Sequence, residues 1–196
     1  MMKKEKILCN NGFTLVELIV VLVILAILAA FTIPAMLGFV EDAKSKASIT
    51  LAREVYTAAQ SAATEIFTKY SGKDLSGTNA NVTSLKQDIG NKIKVLTADD
   101  IGFTTVIDGQ TNSPNEQNAP FIEVALRYDE ADNNKPFYDT SKFTYKNSAK
   151  VWFKRDNGTG TFVVKAIWYV NKEGTYRTII LEDSTKGIST TVEKIK

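Results

Sequence analysis

The sequence predicts an α+β protein, a long N-terminal α-helix packed on a head built around an antiparallel β-sheet. Three observations carry that expectation. Residues Phe13 to Val40 form an apolar run broken by a single charge, Glu17; residues 41–70 continue as an apolar stripe at spacings of three and four; and from Pro120 onward apolar residues recur at every second position.

At 1.5 Å per residue the first run spans about 42 Å, more than the roughly 30 Å hydrocarbon core of a bilayer. It reads as a membrane-crossing helix. Glu17, four residues into it, is the anomaly, because an acid at mid-bilayer costs on the order of 3 kcal/mol even on the mildest scales. Before the run come Lys3, Lys4 and Lys6 against Glu5, and these hold the whole formal net charge of +2. Residues 13–196 therefore carry as many bases as acids, and no basic footprint for nucleic acid is expected.

The composition also excludes chemistry. With no histidine and a single cysteine, Cys9, the chain has no Ser-His or Cys-His nucleophile pair, no histidine-ligated zinc or iron, and no intramolecular disulfide. An enzyme here would work with carboxylates or lysine alone, so no enzymatic activity, catalytic residue, metal or cofactor is expected. A secretory signal fits residues 1–40 poorly, since the apolar part ends in Leu28-Ala29-Ala30-Phe31 without a clean cleavage motif. An uncleaved signal anchor fits the length and the basic flank. It leaves Glu17 unexplained. Lipidation of Cys9 is discounted, because only Ile7 and Leu8 precede it as apolar residues.

Lys3 to Gly12, followed by Phe13-Thr14-Leu15-Val16-Glu17-Leu18-Ile19-Val20 and the apolar run through Pro34, resembles the class III signal of type IV prepilins and their pseudopilin relatives. The resemblance implies a leader, residues 1–12, cut on the cytoplasmic side after Gly12 by a membrane peptidase that then methylates Phe13. It further implies a pilus assembly platform and ATPase as partners, a single-pass membrane location before assembly, and an extracellular homo-oligomeric filament after it. Lack of the C-terminal cysteine pair of Gram-negative pilins leans towards a Gram-positive relative. Within this resemblance, pilin and pseudopilin of a secretion or DNA-uptake machine both stand, with head size favouring pilin; adhesion, motility and aggregation are the roles the family offers. A surface enzyme or binding protein that uses the helix only as a tether is the reading of a different class.

Cleavage after Gly12 would place an ammonium on Phe13 at a helix start, with Glu17 one turn further along the same face. In staggered parallel packing, the Glu17 carboxylate of one subunit can meet the Phe13 ammonium of its neighbour and set the register. An intrahelical pair between the two is the local alternative. Pro34 removes a helical hydrogen bond and Gly38 loosens the next turn, so a kink or local melt is expected there, either as order lost inside a filament or as a plain structural bend.

The expected divisions are the leader at 1–12, the membrane or filament-core half of the helix at 13–40, its amphipathic half at 41–70, a connecting region at 71–118 and a sheet at 119–196. In the amphipathic half Val40, Ala43, Ala47, Leu51, Val55, Ala58, Ala62 and Ile66 form the stripe read as core, and Gly72 stops the helix. The connecting region is expected to hold one or two short helices, near Ser84 to Lys92 and Ala98 to Ile101, with Thr97 capping the second. Antiparallel strands with one buried face are expected around Ile122 to Tyr128, Phe143 to Phe153, Phe162 to Val170 and Tyr176 to Leu181, with a further strand from Ile188 to Ile195 as an option. Whether Lys146-Asn147-Ser148 splits the second of these is open. Asp129, Glu130 and Asp132 read as a solvated turn rather than a calcium loop, and Lys142, Lys146, Lys150 and Lys154 as a solvated strand face rather than a polyanion site.

Overall fold

The computed structural model describes residues 12–75, 79–107, 120–127, 143–155, 161–183 and 187–195. Lys142, the acidic turn at Asp129, Glu130 and Asp132, and the expected turns at 132–134 and 156–160 lie outside these residues. The chain divides into two compact units, Met1–Ala43 and Lys44–Lys196.

Helix α1 runs Leu15–Lys69. In the first unit its large apolar side chains, from Phe13 to Val40, are each between 49% and 88% exposed. The helix continues without interruption through Pro34 and Gly38. The Thr32 hydroxyl donates to the carbonyls of Leu28 and Ala29 in the turn before the proline, at 3.1 and 3.4 Å.

In the second unit α1 packs on the sheet through Ala52, Val55, Ala58, Ala59, Ala62 and Ala63, all buried. The stripe begins later than periodicity implies. Val40, Ala43 and Ala47 are exposed, and the first buried residue is Ser48, whose hydroxyl lies 2.7 Å from that of Thr178. An apolar stripe marks a face suited to packing; it does not say where the packing partner begins. Gly72, at φ +80°, sits just past the helix end, in a conformation that costs glycine little.

Helix α2 runs Ala80–Leu96, longer at both ends than the short helix expected near Ser84 to Lys92. Asn79 caps it by accepting the Val82 N–H at 3.0 Å, and Val82, Leu85, Ile89 and Ile93 form its buried face. Thr97 closes α2 rather than opening a second helix. Its hydroxyl donates to the Ile93 carbonyl, and its carbonyl takes the N–H groups of Ile101 and Gly102 in a single turn. A threonine bonding back to residue i−4 looks the same in sequence as one bonding forward. Tyr70 and Lys69 both donate to Asp88, at 2.8 and 2.6 Å, and Lys92 pairs with Glu65 at 2.8 Å, tying α2 to the end of α1. The hydrogen bond from Lys69 holds the Asp88 carboxyl below its ordinary range.

The sheet contains β1 (Thr105–Ile107), β2 (Phe121–Arg127), β3 (Ser148–Arg155), β4 (Phe162–Val170), β5 (Tyr176–Asp183) and β6 (Gly187–Lys194), in that spatial order. From β3 to β6 the pairing is antiparallel, as expected; β1 with β2 and β2 with β3 are parallel. Alternation encodes which face a side chain takes, not which way the strand runs. The spans of 13 and 20 residues before β2 and β3 are long enough for the crossovers that parallel neighbours need.

Both faces of the sheet carry buried clusters, where one buried face was expected. Ile122, Val124, Val151, Phe153, Val164, Ile167 and Tyr169 pack on the helix side; Phe121, Phe143, Trp152, Trp168, Val170 and Ile179 form an aromatic cluster on the other, with Trp152 and Trp168 4.5 Å apart between ring centroids. A bulge explains the misreading. Trp152 pairs with Ala166 and Phe153 with Val164, so Lys165 is the extra residue and the alternating series Phe162, Val164, Ala166, Trp168 changes face across it. Beside the bulge, Gln60 of α1 accepts the Val164 N–H at 3.2 Å.

Lys146 and Asn147 form a turn, with Asn147 at φ +48°, and β3 starts at Ser148, which settles the open question there. Of the lysines expected on one strand face, Lys146 lies in the turn instead, while Lys150 and Lys154 are on β3; Lys150 pairs with Glu123 at 2.7 Å while reaching over the Trp152 ring.

One contact fixes how closely α2 approaches β1. A Cβ built on Gly90 would lie 2.2 Å from Val106 Cγ1, and valine is stiff at χ1. Gly90→Ala should therefore destabilise the head by about 1–3 kcal/mol despite alanine's higher helix propensity. Adding Val106→Ala should recover part of that loss, with a coupling energy of about 0.5 kcal/mol or more in a double-mutant cycle of thermal unfolding.

Candidate processing and assembly site

Gly12, Phe13 and Thr14 precede the first helical residue, Leu15. A side chain on Gly12 would meet nothing within 4 Å, and Phe13 is 88% exposed. The Gly12–Phe13 peptide bond thus lies outside the helix. A protease needs that geometry, because a bond inside a hydrogen-bonded helical turn must unwind before it can enter an active-site cleft.

Thr14 and Glu17 join into a reciprocal cap. The Thr14 hydroxyl lies 3.3 Å from the Glu17 N–H, which donates to it, and Glu17 Oε2 accepts both the Thr14 N–H at 2.9 Å and the Thr14 hydroxyl at 2.7 Å. This is a capping box, Thr-x-x-Glu, and it satisfies two of the backbone donors that a helix start leaves open. The sequence carries its signature at positions 14 and 17. In the uncleaved chain Phe13 bears an amide, and Glu17 turns to Thr14. Cleavage would change that balance by placing an ammonium one residue before the cap.

Beyond the cap, Glu17 stands alone among exposed apolar side chains. Pro34 and Gly38 lie further along the same uncovered helix, and a side chain on Gly38 would also meet nothing within 4 Å. Among the described residues no cluster of three or more potential metal ligands occurs.

A family model described as the prokaryotic N-terminal methylation motif matches residues 8–33. Residues 8–33 are a class III prepilin signal. No curated protein and no solved structure matches the chain. The motif marks a prepilin of the type IV pilin or pseudopilin kind, a structural class of protein, and implies processing by prepilin peptidase and entry into type IV pilus machinery. With α1 packed on its sheet, the chain has an α+β arrangement like the type IV pilin fold. The apolar helix beside the signal is consistent with membrane anchoring before assembly.

Proposed function

We propose that this prepilin is the structural subunit of an extracellular type IV pilus. It enters the membrane through residues 13–40, is cut after Gly12 and methylated at Phe13, and polymerises with copies of itself through the assembly platform and its ATPase, for adhesion, motility or aggregation. Residues 1–12 serve as the leader, 41–70 are the amphipathic half of the helix packed on the head, 71–118 connect, and 119–196 form the sheet. Neither a cofactor nor nucleic acid takes part. One observation carries the reading. Every large apolar side chain from Phe13 to Val40 is exposed, while the second unit buries its own core. Such a surface is stable only in lipid or against other apolar helices.

In assembly, Glu17 leaves its cap on Thr14 and pairs with the Phe13 ammonium of a neighbour, setting the axial register. The apolar surroundings make a mismatched register costly, because an unpaired charge there is destabilising by about 3–5 kcal/mol. Pro34 and Gly38 supply the place where the helix can bend or lose order. The size of the second unit supports a pilin over a pseudopilin. Electron microscopy of filaments sheared from cells, with identification of their main protein, tests the proposal: this chain should be the bulk component. Its presence only in trace amounts, or only in the membrane fraction, would favour the pseudopilin reading.

A further inference from the structure

The two edges of the sheet are treated differently. At one edge β1 is three residues long; at the other β6 is eight residues long, pairs with β5 through an unbroken register from Gly187↔Asp183 to Lys194↔Tyr176, and has no strand on its outer side among the described residues. Proteins usually blunt a free edge with proline, a bulge, inward charge or shortness. The stretch Gly187-Ile188-Ser189-Thr190-Thr191-Val192 uses none of these. Ile188 is 59% exposed.

Which backbone groups point outward follows from one hydrogen bond. The Ile195 N–H donates to the Thr175 carbonyl at 2.8 Å, which places the odd-numbered residues of this segment in the hydrogen-bonded pairs with β5. The even-numbered residues Ile188, Thr190 and Val192 therefore aim their N–H and C=O groups away from the sheet. Their side chains share one face, the helix side, because Val192 pairs with Thr178 and Thr178 meets Ser48 of α1.

We infer that the outer edge of β6 is a docking site for β6 of a second copy of this chain, paired antiparallel about a two-fold axis through Thr190. In that register Thr190 faces Thr190, and Ile188 faces Val192 twice. The six outward N–H and C=O groups of Ile188, Thr190 and Val192 on each strand are all matched, and between Gly187 and Glu193 no like charges stand opposite one another. The neighbouring register, centred on Thr191, sets Ile188 against Lys194 and loses both apolar pairs. Within the head α1 runs along β5, with Ser48 beside Thr178 and Tyr56 beside Glu182. The two-fold axis accordingly sets these helix segments antiparallel, unlike the parallel stagger proposed for filament packing. The contact joins heads of oppositely directed copies and needs no filament to form.

Cysteine cross-linking of the full chain in detergent micelles, in a Cys9→Ser background, reads the register. Thr190→Cys should form disulfide-linked dimers on mild oxidation, since directly opposed residues have Cα atoms about 5.5 Å apart, within disulfide reach. Thr191→Cys should not, because its own counterpart lies diagonally, at about 8 Å. Ile188→Cys and Val192→Cys should cross-link when mixed and stay monomeric alone. Equal cross-linking at 190 and 191, or no dimer from Thr190→Cys and none from the mixture, would overturn the inference. Neither result depends on processing or filament growth, so failure of the pilus proposal would leave this test intact.

Discussion

A Glu17→Ala prepilin should be cleaved after Gly12 as usual and yet yield few or no filaments. Removing one side of a buried ion pair costs about 3–5 kcal/mol, so each subunit addition weakens on the order of a hundredfold or more. The capping box supplies the control. Glutamine at the same position still accepts from the Thr14 N–H, as the Thr-x-x-Gln form of the box does, but carries no charge. Glu17→Gln should therefore keep the helix start and still fail to assemble. Normal filaments from Glu17→Gln would assign Glu17 to the cap instead; normal filaments from Glu17→Ala would remove any role in register. Quantifying sheared filaments against total processed chain reads both outcomes.

The second large effect is expected at Asn171, in the turn between β4 and β5. Its side-chain oxygen accepts the N–H groups of Thr175 and Tyr176 at 2.8 and 3.0 Å, and its amide donates to Glu173 and Thr175. Its backbone carbonyl also takes the Asn147 N–H at 3.1 Å, which joins the turn to the start of β3. Asn171 is buried, and Asn171→Ala leaves partly buried backbone donors without an acceptor, at about 1–3 kcal/mol each. The loss should reach about 3 kcal/mol and lower the midpoint of thermal unfolding by roughly 6–12 °C for a domain of this size. Asn171→Asp keeps the acceptor and should lose less than half as much. A melting curve of Asn171→Ala that matches the parent would contradict the role given to this turn.

Some of this was legible in the sequence because it depends on local pattern. The long helix, its stop at Gly72, the turn Asn171-Lys172-Glu173-Gly174 and the antiparallel strands β3 to β6 follow from periodicity and turn chemistry. What escaped depends on partners distant in sequence. Strand direction is invisible to alternation, so the parallel pairing of β1, β2 and β3 was missed. The Lys165 bulge moved Ala166, Trp168 and Val170 to the outer face and hid the second cluster. Thr97 gave the wrong boundary because its hydroxyl can cap in either direction. At the site, Gly12, Phe13 and Glu17 stood out through the motif and the lone charge, whereas Thr14 was readable only as the other half of a local hydrogen-bonded box.

The bond between Gly12 and Phe13 decides between a filament subunit and a tethered surface protein. N-terminal sequencing or intact mass of this chain, taken from surface material sheared off cells, tests it most directly. The mature chain should begin at Phe13, with the added mass of one methyl group on its nitrogen. A chain recovered there with Met1 to Gly12 still attached would make the helix a tether rather than the core of a filament, and would contradict the account.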